Sequence, residues 1–299
     1  MLKPLKTSII AIVNQKGGIG KTATSVNLAA SFANSGKKTL LIDLDYQANA
    51  TSNFGKVLIA KQDKKSLSSA IKDKKSLSQV VLETEDPNLD IVAGDMGLSR
   101  VSKEKALEAG AVFILKKWLD TDEARQYEVI IIDTHPSLDL LFQMALTAAH
   151  YYLIPMFPEA DPFDGLAYVF SEVKDIKDNS LNPQLFLLGV VITRFDSKNS
   201  THNKFLSLIE EFTLENKIKI AGLIPNSAAI ASSSSLKKPL LWHSPKLNVT
   251  KAYMKLAKEL LPELRGAREG RAQGVPSQYI ETPKEIMDLF SQEEGVLEA

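Results

Sequence analysis

Residues 14–22 read NQKGGIGKT and follow directly on the apolar run SIIAIV at 8–13. A β-branched run, a glycine-rich turn and then a helix-forming stretch is the local order of a phosphate-binding loop. Glycines let successive backbone N–H groups turn inward as an anion nest, and the following helix N-terminus adds positive potential. In this reading Gly17, Gly18, Ile19, Gly20, Lys21, Thr22 and Ala23 form the cradle. Lys21 reaches the β- and γ-phosphates of a nucleoside triphosphate, and the Thr22 hydroxyl ligates Mg²⁺. One lysine suffices for that purpose, yet Lys16 supplies a second at the start of the loop, where the common form has glycine.

Outward from the loop, short apolar runs recur: KTLLID (38–43), LDIVAG (89–94), YEVIIID (127–133), YYLIPM (151–156), LFLLGVVIT (185–193) and IKIAGLIP (218–225). Several are continuously apolar, as strands buried on both faces of a parallel sheet must be. Between them lie helical patterns such as TSVNLAASFANSG (24–36), which ends in a C-cap glycine, and SLIEEFTLEN (207–216). The alternation predicts one α/β domain over residues 1–265, a doubly wound, mostly parallel sheet with helices on both faces.

Two stretches depart from the pattern. Around residues 61–79 a near-repeat, QDKKSLSSAI then KDKKSLSQVV, reads as a solvated helix-loop-helix, with a lysine-rich binding segment as the sharper alternative. Residues 266–299 are rich in Gly, Glu, Gln and Ser and are expected to be a poorly ordered, acidic-ended tail, with TPKE (282–285) able to cap a short helix.

Composition narrows the function. The 299 residues contain no cysteine, which excludes disulfides, thiolate zinc sites and iron–sulfur clusters. Positive and negative side chains balance, 36 against 36, so any nucleic-acid binding must come from a local basic patch. No apolar run approaches the ~20 residues of a membrane span, and the N-terminus reads as the lead into a strand rather than a signal peptide. A cytoplasmic location is expected.

Three further motifs fall where a nucleotide site needs them. Asp43 and Asp45, in DLDYQANAT (43–51), close the second strand, and carboxylates there face the ligand crevice of an open sheet. Asp133 closes the run Val129–Ile132 and is placed to hold the magnesium water shell. Pro225 and Asn226 follow the last strand, suited to framing a flat base.

With KGGIGKT (16–22), DLDYQANAT, IIDTHPSL (131–138), IPMFPE…GL (154–166) and IPN followed by LAKEL (256–260), the chain resembles the ParA/Soj partition ATPases of the MinD/ParA group, over roughly residues 7–262. Relatives mostly carry Pro at Tyr46, Gly at Ala48 and Pro at His135. The resemblance implies slow ATP hydrolysis with Mg²⁺, stimulated by a ParB-like partner. It implies a homodimer with ATP sandwiched between subunits, in which Lys16 reaches the partner's nucleotide and Lys21 its own. Asp45 would orient the attacking water and join Thr22 and Asp133 around the metal, so the catalytic set is Lys16, Lys21 and Asp45. Asp43 would support the switch region from within the nucleotide site, and His135 would be a bystander.

ParA-type proteins also bind DNA nonspecifically. From Asn226 to Lys258 there is no acidic residue, while Lys237, Lys238, Lys246, Lys251, Lys255 and Lys258 are basic. The last three share one helical face, a stripe able to neutralise phosphates. Relatives carry an arginine in the segment aligned with SAAIASSSS (227–235), which this chain lacks. About a dozen residues precede the loop, so no N-terminal helix-turn-helix is expected. A membrane ATPase of the MinD kind would want a basic C-terminal helix, and a nitrogenase-type electron carrier would want cysteines. A positioning ATPase for a protein cargo, and a nucleotide-dependent scaffold with little hydrolysis, fit the same motifs. Nucleoid-bound plasmid or chromosome segregation is the leading expectation.

Overall fold

The computed structural model describes residues 7–159 and 163–266; of the tail expected over 266–299, Gly266 ends a helix, and the remainder with its TPKE cap lies outside the described residues. Every apolar run named above is a strand: β1 (Ser8–Ile12), β2 (Thr39–Leu44), β4 (Leu89–Val92), β5 (Val129–Thr134), β6 (Tyr151–Met156), β7 (Phe186–Phe195) and β8 (Ile220–Pro225). One strand had no signal in the sequence, the two-residue β3 (Leu82–Glu83), which pairs antiparallel with β4 at the sheet edge. All other pairings are parallel, in the order β3-β4-β2-β5-β1-β6-β7-β8.

Thirteen α-helices among the described residues connect and cover the strands. In chain order they are α1 (Lys21–Asn34), α2 (Asn49–Asn53), α3 (Val57–Gln62), α4 (Leu67–Asp73), α5 (Leu77–Val80), α6 (Gly97–Lys105), α7 (Ile114–Leu119), α8 (Leu140–Ala148), α9 (Asp164–Asp178), α10 (Ser200–Glu215), α11 (Ala228–Leu236), α12 (Leu240–His243) and α13 (Asn248–Gly266). Because successive strand residues point to opposite faces, the apolar runs feed two cores. Ile10, Ile12 and Leu41 pack under α1 and α13 with Val26 and Tyr253, while Ile9, Ala11 and Ile42 pack with Leu67, Leu141 and Val169 on the other face. α1 is buried almost throughout and ends at Ser35, with Gly36 at φ 75° just beyond it, the left-handed stop that the sequence offered.

The near-repeat is a structural repeat. Ser66 and Ser76 begin α4 and α5 with capping boxes, and Lys64 and Lys74, at φ 51° and 53°, turn the chain into each. Lys64, Lys72 and Lys74 are exposed and Lys65 and Lys75 half-buried, while Leu67, Ala70, Leu77 and Val80 are buried, so the insertion is anchored in the core.

Candidate functional site

The order of the sheet brings β1, β5 and β2 side by side, so the loops after them share one crevice at the C-terminal edge. Residues 14–20 form the loop after β1. Gly18 and Gly20 adopt φ 73° and 92°, which L side chains rarely do, and Gly20 stands at the N-cap of α1 without any side-chain cap. The first turn of α1 contains no acidic residue, so its amides are left for an anion.

Lys21 is buried at the base of this loop, 6% exposed, and its Nζ donates to the Lys16 carbonyl at 2.9 Å. Burial pushes its amine down to about 8, with the carboxylates of Asp133 and Asp45 pulling the other way. Lys16 is exposed, and its N–H donates to Asn14 Oδ1 at 2.9 Å.

Asp133 is fully buried at the end of β5. Ser25 of α1 donates to its Oδ1 at 2.7 Å, while its Oδ2 has no hydrogen-bond partner. Burial pushes its carboxyl up to about 6 against the hydroxyls of Ser25 and Thr22. Asp43 sits in register with it on β2. Both Asp43 oxygens are taken: Oδ1 accepts from the Asp45 N–H at 3.2 Å, and Oδ2 from the Thr51 N–H and hydroxyl at 2.7 and 2.6 Å. Burial, then the neighbouring Asp133, pushes Asp43 up to about 8. Asp43 therefore ties β2 to α2. Gly94 passes so close to this corner that a Cβ there would lie 2.7 Å from the Asp45 carbonyl, a backbone approach only glycine permits. Asp45 is buried and accepts from the Gln47 N–H at 2.8 Å, the start of the turn into α2.

Two of the departures from relatives meet in space. Tyr46 and His135 lie with ring centroids 5.0 Å apart. His135 is buried, with Nε2 3.3 Å from Asp139 Oδ2 but both ring nitrogens lacking hydrogen-bond partners; it packs beside the site. The third departure, Ala48, adopts φ 54°, a glycine conformation.

At the far side, Pro225 closes β8 in register with Phe195, and the exposed Asn226 donates its N–H to the Phe195 carbonyl at 2.8 Å. Thr193 and Arg194 were not singled out in the sequence, yet they touch the phosphate loop, at the Ile19 and Gly18 carbonyls. The signal was available: polar residues closing an apolar strand face the same crevice.

The basic candidates lie elsewhere. Lys251, Lys255 and Lys258 are exposed along α13, while Tyr253, Leu256 and Leu260 face the core. Lys255 is 3.7 Å from Glu259. Lys237 and Lys246 are exposed, and Lys238 is paired with Glu85 at 2.9 Å.

Fold and site together define a P-loop protein of the open α/β class. The family model described as an AAA domain matches residues 7–187. The chain is 32% identical over 258 residues to the chromosome partitioning protein ParA of Caulobacter vibrioides, covering 86% of this chain and 95% of that one. It is 33% identical over 253 residues to the sporulation initiation inhibitor protein Soj of Bacillus subtilis, covering 84% and 97%. Among solved structures, a plasmid partition protein of Borrelia burgdorferi bound to AMPPNP superposes with TM-score 0.73 at 27% identity, covering 86% of this chain and all of that one. Cobyrinic acid a,c-diamide synthase of Mycobacterium smegmatis, with bound ADP and magnesium, gives 0.73 at 25%, covering 91% and 100%. The chain belongs to the ParA/Soj family of partition ATPases. Among the described residues no helix is long and apolar enough to cross a membrane.

Proposed function

We propose that this protein is an ATP-driven partition switch that closes as a homodimer around two ATP molecules, binds DNA nonspecifically, and segregates plasmid or chromosome DNA with a ParB-like activator. The observation that carries this reading is the division of labour between two lysines of one loop. Lys21 is buried, with its Nζ held at the Lys16 carbonyl, while Lys16 is exposed. A buried lysine in the loop suits the protein's own phosphates; an exposed one is available to a nucleotide held by a second subunit, where two triphosphates concentrate negative charge that a cation must offset.

The residues present fit MgATP. Asp133 carries a buried oxygen without a partner beside the Thr22 hydroxyl. No cluster of three or more His, Cys, Asp or Glu able to hold a metal occurs among the described residues. Mg²⁺ keeps several waters and takes few protein ligands. Thr22 would hold the ion, with Asp133 and Asp45 on its water shell; the bound ion would neutralise charge developing on the transferred phosphoryl group. The protein's part is positioning: loop amides and Lys21 hold the phosphates, Asp45 orients water, and Pro225 and Asn226 frame the base. Nothing covalent is required.

A basic surface then couples the nucleotide state to DNA. Lys251, Lys255 and Lys258 of α13, with Lys237 and Lys246, supply exposed positive charge, which dimerisation doubles. Lys238 contributes less because Glu85 neutralises it. Such a protein is cytoplasmic and nucleoid-associated.

The test is ATP turnover with Mg²⁺, with and without duplex DNA, alongside Lys21→Ala. Slow phosphate release that Lys21→Ala abolishes, together with ATP-dependent retention on DNA, is expected. Equal release by both proteins would overturn the ATPase assignment of the site, and equal DNA retention with and without ATP would overturn the switch.

A further inference from the structure

We propose that Thr193 and Arg194, at the end of β7, form a clamp that presets the phosphate loop for its ligand. The clamp deepens the partition-ATPase reading and rests on it for the identity of the ligand. β7 is two strands away from β1, with β6 between them, yet its last residues reach back over the loop.

The Thr193 hydroxyl donates to the Ile19 carbonyl at 2.6 Å, with the Met156 carbonyl of β6 at 3.0 Å on the same hydroxyl. Arg194 Nη1 donates to the Gly18 carbonyl at 3.1 Å, and its guanidinium stands 4.4 Å over the Phe157 ring. Arg194 reaches that position from φ 53°, a backbone conformation that side chains other than glycine rarely adopt.

Four of the loop carbonyls have a donor each. Lys16 is held by Lys21 Nζ, Gly18 by Arg194, Ile19 by Thr193, and Gly20 by the Thr24 N–H of α1. A planar trans peptide puts its N–H opposite its C=O. Tying the Gly18 and Ile19 carbonyls to β7 therefore presents the N–H groups of Ile19 and Gly20 on the other side, where a phosphate sits in this reading. Two glycines at left-handed φ give the loop freedom to turn those amides away; the clamp removes that freedom before ligand arrives. Thr193 and Arg194 are thus positioning residues, acting through the loop backbone.

The experiment uses the full chain with Thr193→Val, Thr193→Ser, Arg194→Ala and Arg194→Lys. Amide hydrogen exchange of residues 16–21 is read without nucleotide, ATP affinity by equilibrium dialysis, and the unfolding midpoint as a check on folding. Thr193→Val should speed exchange at Ile19 and Gly20 and weaken ATP binding roughly tenfold, while Thr193→Ser restores both. Arg194→Ala should act in the same direction, with Arg194→Lys intermediate because it loses the planar fork. Wild-type exchange and wild-type ATP affinity in Thr193→Val and Arg194→Ala would overturn the clamp. Should Thr193→Val fail to fold, the exposed Arg194 decides alone. A wild-type protein that binds no ATP would overturn the partition-ATPase reading, and the exchange arm would still decide the clamp.

Discussion

Asp43 and Asp133 face each other in register on the adjacent parallel strands β2 and β5, both fully buried. Each carboxyl group has a separate set of donors: Thr51 and the Asp45 N–H on one, Ser25 on the other. Asp43→Ala should cost roughly 2–4 kcal/mol, because the Thr51 N–H and hydroxyl lose their acceptor inside the protein. Asp43→Asn keeps an acceptor oxygen for the Thr51 N–H and hydroxyl, so it should cost distinctly less. Urea denaturation of the two variants checks the order; equal losses would mean that Asp43 is not the anchor of α2.

Ala48 occupies a left-handed position at the start of α2, φ 54° and ψ 38°. An L side chain costs roughly 1–2 kcal/mol there, and glycine offsets part of the gain through its freer unfolded chain, roughly 0.4–1 kcal/mol. Ala48→Gly should therefore stabilise the protein by about 0.5–1 kcal/mol, the difference of those two effects, read as a higher denaturation midpoint. A destabilised variant would show that the methyl group is held by packing that outweighs its strain.

The two lysines and Asp45 should separate by function. Lys16→Ala should lose the ATP-dependent dimer in sedimentation velocity while monomeric ATP binding persists. Asp45→Ala should keep ATP binding and the dimer but lose turnover by about 10²-fold or more, the usual scale for a group that orients a reacting water. Full turnover in the Asp45 variant would remove it from that role.

Lys251 and Lys255 lie one turn apart on the outer face of α13, both exposed. Replacing both with Glu should abolish retention on DNA in the presence of ATP. Milder Ala replacements should flatten the plot of log affinity against log salt by about 0.9 for each phosphate that is no longer neutralised. Unchanged retention would place the DNA surface elsewhere.

Glu123 accepts hydrogen bonds from the Ser78 N–H at 2.8 Å and the Ser78 hydroxyl at 2.9 Å, in the first turn of α5. These bonds hold its carboxyl below the ordinary glutamate value. A depressed acid contributes stability above its unfolded pKa and loses it as pH falls through the folded one. The wild-type denaturation midpoint should therefore fall more steeply between about pH 5 and 3 than that of Glu123→Gln. Parallel curves would mean that the contact does not persist in solution.

Much of this fold was legible in the chain because its strands are continuously apolar, and a run such as YYLIPM has nowhere to go but between two layers of helix. β3 was not legible: two residues carry no period, and only the finished edge of β4 gives them a partner. In the site, the glycine turn of NQKGGIGKT was legible, since Gly18 and Gly20 take left-handed φ values that glycine favours. The near-repeat at 61–79 was visible, but not that its leucines would be drawn into the core.

What the sequence alone determined is therefore local: which segments are strands, where the anion loop turns, and which residue types close each strand. The tertiary structure decided the rest, because contacts between distant residues follow from strand order. That order sets Asp43 against Asp133, turns Asp43 toward Thr51, lays Tyr46 on His135, and carries Thr193 across 174 residues of chain to the Ile19 carbonyl.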